Sequence, residues 1–205
     1  MLFRSGSPPQ LIADLPSMKD VQAATKYPND THLPVDVLLL TAKDCEFLAC
    51  YKQLHNPFKW YFNGLGYVFF EDVDERQKEK VTIALMRCSE GSSGPGSSLI
   101  TVKNATTVLQ PKAVISVGIC RCLNPERTNL GDVVVSAKLR EQSTGMRSYV
   151  SRRFLDVIKH AADGWDVPPL KDPQAREVRV HCDSEFLSGP EQVCSEWRRK
   201  QLADS

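Results

Sequence analysis

The chain has 205 residues, 41% of them hydrophobic, and a formal net charge of +1. That length suits one domain with a proper core, and so even a charge balance offers no field that would draw nucleic acid or an anionic membrane surface. No apolar run reaches the roughly 18 residues of a membrane span, and "MLFRSGSPPQ" lacks the apolar stretch of a signal peptide, so a cytoplasmic protein is expected, in the cytosol or the nucleus.

Residues 1–34 hold "SGSPPQ", "YPND" and "THLP", rich in proline and polar residues and weakly periodic. They read as a flexible N-terminal arm or linker, alternatively a tether to an upstream partner, with residues 35–205 as the domain. "VDVLLLTA" (35–42) is a continuous apolar run that suits a strand buried on both faces. "KDCEFLACYKQL" (43–54) turns helical, with Phe47, Cys50, Tyr51 and Leu54 on one face. Aromatic strands then flank Asn63-Gly64, a hairpin signal. After the charged turn "ERQKEK" comes the strand "VTIALMR" (81–87).

"CSEGSSGPGSS" (88–98) precedes a helix over 99–110, with Leu99, Val102, Ala105 and Leu109 at helical spacing and Pro111 ending it. Strands are expected at 113–119 and 132–139, a helix at 151–165 stopping at Gly164, a strand at 177–182, and a final helix starting at Pro190. Strands alternating with helices give an α/β fold, a mixed central sheet flanked by helices.

The seven cysteines are odd in number and lack a Cys-x-x-Cys pair, and the four histidines lie far apart. Reduced thiols are therefore expected rather than a disulfide framework, and no structural metal site.

Four places can carry chemistry or bind a ligand. The Gly/Ser segment is either a flexible connection or a pocket loop whose backbone N–H groups face a ligand anion. Gly118 ends a buried strand, where α/β sheets place their ligands and where a missing side chain lets a ligand approach the backbone. Glu46 stands one turn into the first helix, as a general base or as a carboxylate that complements the helix dipole. Farther on, Phe186 and Leu187 are apolar residues in a turn-rich loop, either buried or capping a flat aromatic ligand.

"VDVLLLTAKDCEF", "GSSGPGSS", "KAVISVGICRCLNPERTNLGDVVVS" and "DSEFLSG", in that order, resemble the nucleoside phosphorylase family, above all its methylthioadenosine/S-adenosylhomocysteine nucleosidase-like branch. The resemblance spans roughly residues 35–205, and "GDVVVS" is its most recognisable piece. It implies cleavage of a purine N-glycosidic bond without a cofactor. Glu46 would activate the attacking water, and Ser92 and Gly94 would lie beside ribose and nucleophile. Val117 and Gly118 would floor the pocket, and Phe186 and Leu187 would stack on the purine and present backbone to it. The partners implied are a purine nucleoside or nucleotide, with phosphate as the alternative nucleophile, and a second copy in a homodimer where the domain is complete.

The departures are specific. Ser116 and Ile119 stand where phosphorylases usually carry an arginine and a serine or threonine for phosphate, which favours water. Ile119, Cys120, Arg121 and Cys122 replace the family's small residues; Arg121 is expected either to strain the turn or to reach a substrate anion, with the cysteines as small buried residues. The family's Glu-Met-Glu ribose grip and its later aspartate acid have no matching positions, so the domain is expected to lack its C-terminal elements.

Overall fold

The computed structural model describes residues 9–29, 32–75, 79–89, 98–123, 127–142, 144–172, 178–188, 195 and 202. They fall into two compact units, Leu15–Cys120 and a second made of Met1–Asp14 with Arg121–Ser205.

In chain order, the Leu15–Cys120 unit contains β1 (Ala24–Thr25), β2 (Val37–Thr41), α1 (Asp44–Tyr51) and β3 (Phe58–Phe62). These are followed by β4 (Gly66–Glu75), β5 (Glu79–Arg87), α2 (Ser98–Val108) and β6 (Ala113–Ser116). The six strands form one mixed sheet in the order β1-β3-β4-β5-β2-β6. β5, β2 and β6 are parallel, while β3–β4 and β4–β5 are antiparallel hairpin pairs. The expected α/β mixed sheet is what the chain builds. The Asn63-Gly64 hairpin also holds: Gly64 and Gly66 both sit at φ 82°, a conformation glycine adopts without a Cβ clash.

Alternation along the strands sends side chains to two cores. Leu38, Leu40, Val68, Phe70, Ala84 and Met86 face α2, whose Ala105, and Leu109 just beyond its end, complete that layer. Phe69 and Leu85 face α1 and meet Phe47 and Leu48, with Cys50, Tyr51 and Leu54 around them, the helix face expected from the spacing. Each fully buried side chain of this size contributes about 1.5–3 kcal/mol. On α2 the buried stripe differs from the one expected: Thr101, Ala105 and Leu109 turn inward, while Leu99 is 65% exposed. The i, i+4, i+8 row beginning at Thr101 faces the sheet, and an apolar residue two positions earlier falls off that row.

The residues expected as an arm include, among those described, β1, which pairs in parallel with β3. They also include His32, 3% exposed, whose Nδ1 accepts the Asn29 amide and whose Nε2 lies 2.9 Å from Asp72.

The second unit holds β7 (Val133–Val134), β8 (Lys138–Glu141), β9 (Arg147–Tyr149), α3 (Arg152–Lys159), β10 (Val180–His181) and β11 (Glu185–Ser188). β10 and β7 pair in parallel, and β11-β8-β9 make a separate three-stranded sheet. The single strand expected over 132–139 is thus two, broken at Ser136, whose hydroxyl donates toward the carbonyls of Lys138 and Ser184. The expected helix over 151–165 ends at Lys159, and Asp163 N–H and Trp165 N–H return to His160 and Ala162 in turns. The strand expected over 177–182 is confined to Val180–His181 among the described residues. The loop expected around Phe186 is strand β11, paired residue for residue with β8. The helix expected from Pro190 lies outside the described residues, apart from isolated positions.

Candidate functional site

β2, β5 and β6 all run the same way and end at Thr41, Arg87 and Ser116, so their carboxyl ends share one edge of the sheet. In open α/β sheets that edge is where ligands bind. Thr41 ties two of the strand ends together. Its carbonyl accepts the Cys88 amide at 2.8 Å, and its hydroxyl donates to Met86 O at 3.2 Å.

Glu46 is the centre of this edge. Although it sits in the first turn of α1, it is only 9% exposed. Its Oε2 accepts the amides of Ala42 (3.0 Å) and Lys43 (2.8 Å), and its Oε1 accepts the amide of Ile119 at 3.0 Å. The carboxylate therefore caps α1 and at the same time clasps the chain leaving β6. Burial pushes its pKa up, but the N–H groups of Lys43, Ala42 and Ile119 and the charge of Lys43 outweigh that and hold it below the ordinary glutamate range. Each carboxylate oxygen offers two lone pairs, so Oε2 is filled and Oε1 keeps one.

Gly118 lies close to Oε1. A Cβ there would stand 3.4 Å from Glu46 Oε1, and its φ is unremarkable, so the glycine serves approach rather than a strained backbone. Val117 holds the register, its amide donating to Leu40 O at 2.9 Å. Glu46, Val117 and Gly118 thus lie close together at this edge. Ser92 and Gly94 lie outside the described residues. Arg121 is exposed, and Cys120 and Cys122 are exposed as well, against the expectation of small buried residues. β6 stops at Ser116, and the chain beyond it runs along the surface instead of entering the core.

A cavity of about 760 Å³ opens at the ends of β2 and β5, walled by Ala42, Lys43, Asp44, Arg87, Ser89 and Thr101 among others; Glu46, Val117 and Gly118 are not among its lining residues. Arg87 is ion-paired with Asp44. Sequence reasoning missed Lys43 and Arg87, although the strand-end rule that selected Gly118 applies to both.

Phe186 and Leu187 belong to the other unit. As neighbours on β11 they point to opposite faces. Phe186, 37% exposed, lies opposite Leu139, and Leu187 lies opposite Arg140. The same unit shows why "GDVVVS" carries its aspartate. Asp132 accepts the amides of Asn129 (2.9 Å) and Arg179 (3.2 Å) and sits 3.0 Å from His181 Nε2. It pins the start of β7 to β10. Burial raises its pKa, but the His181 ring and the two amides outweigh that and hold it below the ordinary aspartate range. No group of three or more potential metal ligands occurs among the described residues. None of their helices is long and apolar enough to cross a membrane.

No family model matches the chain, and no curated protein matches it. Solved structures do. An S-adenosylhomocysteine nucleosidase from Streptococcus pyogenes, in complex with 5-methylthiotubericidin, superposes with a TM-score of 0.59 at 13% identity. That match covers 83% of this chain and 69% of the other. A 5′-methylthioadenosine/S-adenosylhomocysteine nucleosidase from Neisseria meningitidis, bound to methylthio-immucillin-A, gives 0.57 at 15% identity, over 82% and 71% of the two chains. A purine nucleoside phosphorylase from Toxoplasma gondii, bound to immucillin-H, gives 0.57 at 12%, over 89% and 70%. The fold is therefore that of the nucleoside phosphorylases and nucleosidases.

Proposed function

We propose that this chain binds a purine nucleoside and cleaves its N-glycosidic bond, with water as the nucleophile. The observation that carries the reading is the Glu46 carboxylate. It is buried, held below the ordinary glutamate range and fixed by three amides at the carboxyl edge of the parallel strands, with one acceptor position of Oε1 left close to Gly118. The same fold in enzymes solved with purine nucleoside analogues supports it.

In this reaction the water oxygen bonds to C1′. The electron pair of the C1′–N bond leaves on the purine, and the proton shed by the water ends on the released base. A transition state of oxocarbenium character gains from a fixed negative charge and from a water held in line. Glu46 supplies both: the free Oε1 lone pair accepts the water's hydrogen, and the carboxylate charge faces the developing cation. Its depressed pKa keeps it ionised at neutral pH. Its part is thus to orient and stabilise more than to hold the proton. Ser116, standing where the phosphorylases' arginine would be, supports water over phosphate. Ser92, Gly94, Val117, Gly118, Phe186 and Leu187 are assigned to substrate binding and Arg121 to an anion contact. The protein is assigned to the cytoplasm, and as a homodimer where the domain is complete.

A second reading is favoured by one observation. Three acceptor positions of Glu46 are already filled by backbone, as in a purely structural clasp, and the chain would then be a non-catalytic purine-binding module. One experiment separates the two. Free adenine or hypoxanthine is measured after incubation with methylthioadenosine, S-adenosylhomocysteine, inosine and AMP, with and without phosphate, alongside binding of the same compounds. Release without phosphate is expected. Release that requires phosphate overturns the water nucleophile, and binding without release selects the second reading.

A further inference from the structure

The sheet face that carries α1 is only partly covered. α1 has 8 residues, about 12 Å of helix, while β4 and β5 have 10 and 9, each about 30 Å long. The helix seals Phe69 and Leu85 beneath Phe47 and Leu48 and ends before it reaches the strand positions beyond them. A second cavity, of about 460 Å³, opens there. Its apolar walls are Leu39, Val73 and Ile83 from three strands, with Cys50 on α1 and Leu54 just after it. Glu46, Val117 and Gly118 are not part of this wall.

Glu71 sets a charge in this apolar space. It stands two residues after Phe69 on β4, so its side chain points to the same face as α1. That side chain is 8% exposed. Its Oε1 accepts the His55 amide at 2.9 Å, and the Nδ1 of the His55 ring lies 3.4 Å from the same oxygen. Oε2 has no partner among the described residues. A buried carboxylate oxygen without a partner is costly, and native folds rarely leave one unused. The neighbouring groups do not serve it. Asp72, also in the wall, is an acid already held by His32, Lys80 and Thr82. The Cys50 thiol is pushed up by burial and by the charge of Glu46, and stays neutral. The His55 side chain is 85% exposed and does not fill the space.

We propose that this cavity is a binding site for a small organic cation, a primary amine with an apolar body. Its ammonium donates to Glu71 Oε2, and its body lies on Leu39, Leu54, Val73 and Ile83. The volume is within the range of small-ligand sites. One free oxygen suits the point donor of an ammonium, whereas a guanidinium fork wants both oxygens, and Oε1 already faces His55. An anion is repelled by Glu71, and an uncharged ligand forgoes the charge-assisted bond. The site is built from β2, α1, the segment after α1, β4 and β5, and does not depend on the purine-cleavage reading.

The test is calorimetric binding of two amines, phenethylamine and n-butylamine, and of the alcohols with the same skeletons, 2-phenylethanol and n-butanol. The proteins are the full chain, Glu71→Gln and Val73→Phe. Each amine is expected to bind roughly 10- to 100-fold more tightly than its alcohol, the worth of one charge-assisted hydrogen bond. Glu71→Gln keeps an acceptor for the His55 amide and loses the charge, so the ratio should fall toward one. Val73→Phe narrows the space and should weaken both amines. Unfolding midpoints near wild type show that the variants remain folded; should Glu71→Gln unfold, the loss of amine binding in Val73→Phe carries the test.

Equal affinity for amine and alcohol overturns the cation assignment. An undiminished preference for the amine in Glu71→Gln, or undiminished amine binding in Val73→Phe, puts the amine elsewhere and overturns the site. No binding of either amine overturns the proposal outright. Each of these results leaves the purine-cleavage reading where it stood.

Discussion

Glu46 Oε1 accepts the backbone amide of Ile119 at 3.0 Å, so one carboxylate joins the start of α1 to the chain leaving β6. The other oxygen accepts the amides of Ala42 and Lys43, and the side chain is therefore a structural clasp that still has one acceptor position on Oε1.

Glu46→Gln tests this double role. A glutamine amide presents an oxygen on one side and an NH₂ on the other, so it leaves at least one backbone N–H facing a donor. The substitution is expected to cost about 1–3 kcal/mol in stability as well as purine release. Urea denaturation and a base-release assay measure the two effects. Unchanged stability would mean that the clasp does not operate in solution.

Acid should loosen the protein at known points. Glu46 and Asp132 both have pKa values below their ordinary ranges, so their ionised forms are favoured in the folded state. The resulting stability is fully present above the unfolded carboxylate values, near pH 4, and is lost as pH falls through the lower folded values. The urea midpoint is expected to stay flat from pH 7 to about 5 and to fall below about pH 4, less steeply in Asp132→Asn. A fall between pH 7 and 5 would assign the dependence to other groups.

Gly118 should be a position of access. A methyl at 3.4 Å from Oε1 makes an ordinary contact, so Gly118→Ala is expected within about 0.5 kcal/mol of wild type. Gly118→Leu should keep the fold and abolish purine release by covering the free lone pair. Full activity in the leucine variant would move the water site elsewhere.

His32 lies against Phe58, ring centroids 4.8 Å apart, besides its contacts to Asn29 and Asp72. His32→Ala removes a packed ring and two polar contacts and is expected to cost about 2–4 kcal/mol, read by denaturation. A loss below about 0.5 kcal/mol, the range of surface substitutions, would show that His32 does not brace the sheet.

The sequence made the sheet legible because its apolar runs were long and its turns chemically marked. Val37–Thr41, the Asn63-Gly64 hairpin and Phe47 on α1 could each be read from local pattern. Glu46 was legible by position, yet its three amide bonds were not, since one comes from Ile119 in a distant part of the chain. The same limit explains β11: Glu185–Ser188 carries turn residues on both sides, and only its register with β8 makes it a strand. Cys120 and Cys122 misled because small thiols favour interiors, whereas here β6 ends at Ser116 and the chain runs on along the surface. Lys43 and Arg87 carry no motif. They gain meaning when two parallel strands set their ends side by side.

Leu11 forms a bridge with Leu170, the amide of Ile12 donates to Pro169 O at 3.0 Å, and that of Lys171 donates to Gln10 O at 2.8 Å. This feature dictates an order of events during synthesis. Residues 15–120 form a continuous stretch whose strands find each other within it, so that unit can close while the ribosome is still adding residue 121 and beyond. Residues 9–14 leave the ribosome earlier, but their partners at 169–171 are made much later. Residues 9–14 are therefore docked only after residues 169–171 are made, and a pause in translation would leave them bare while the sheet of the Leu15–Cys120 unit is already formed.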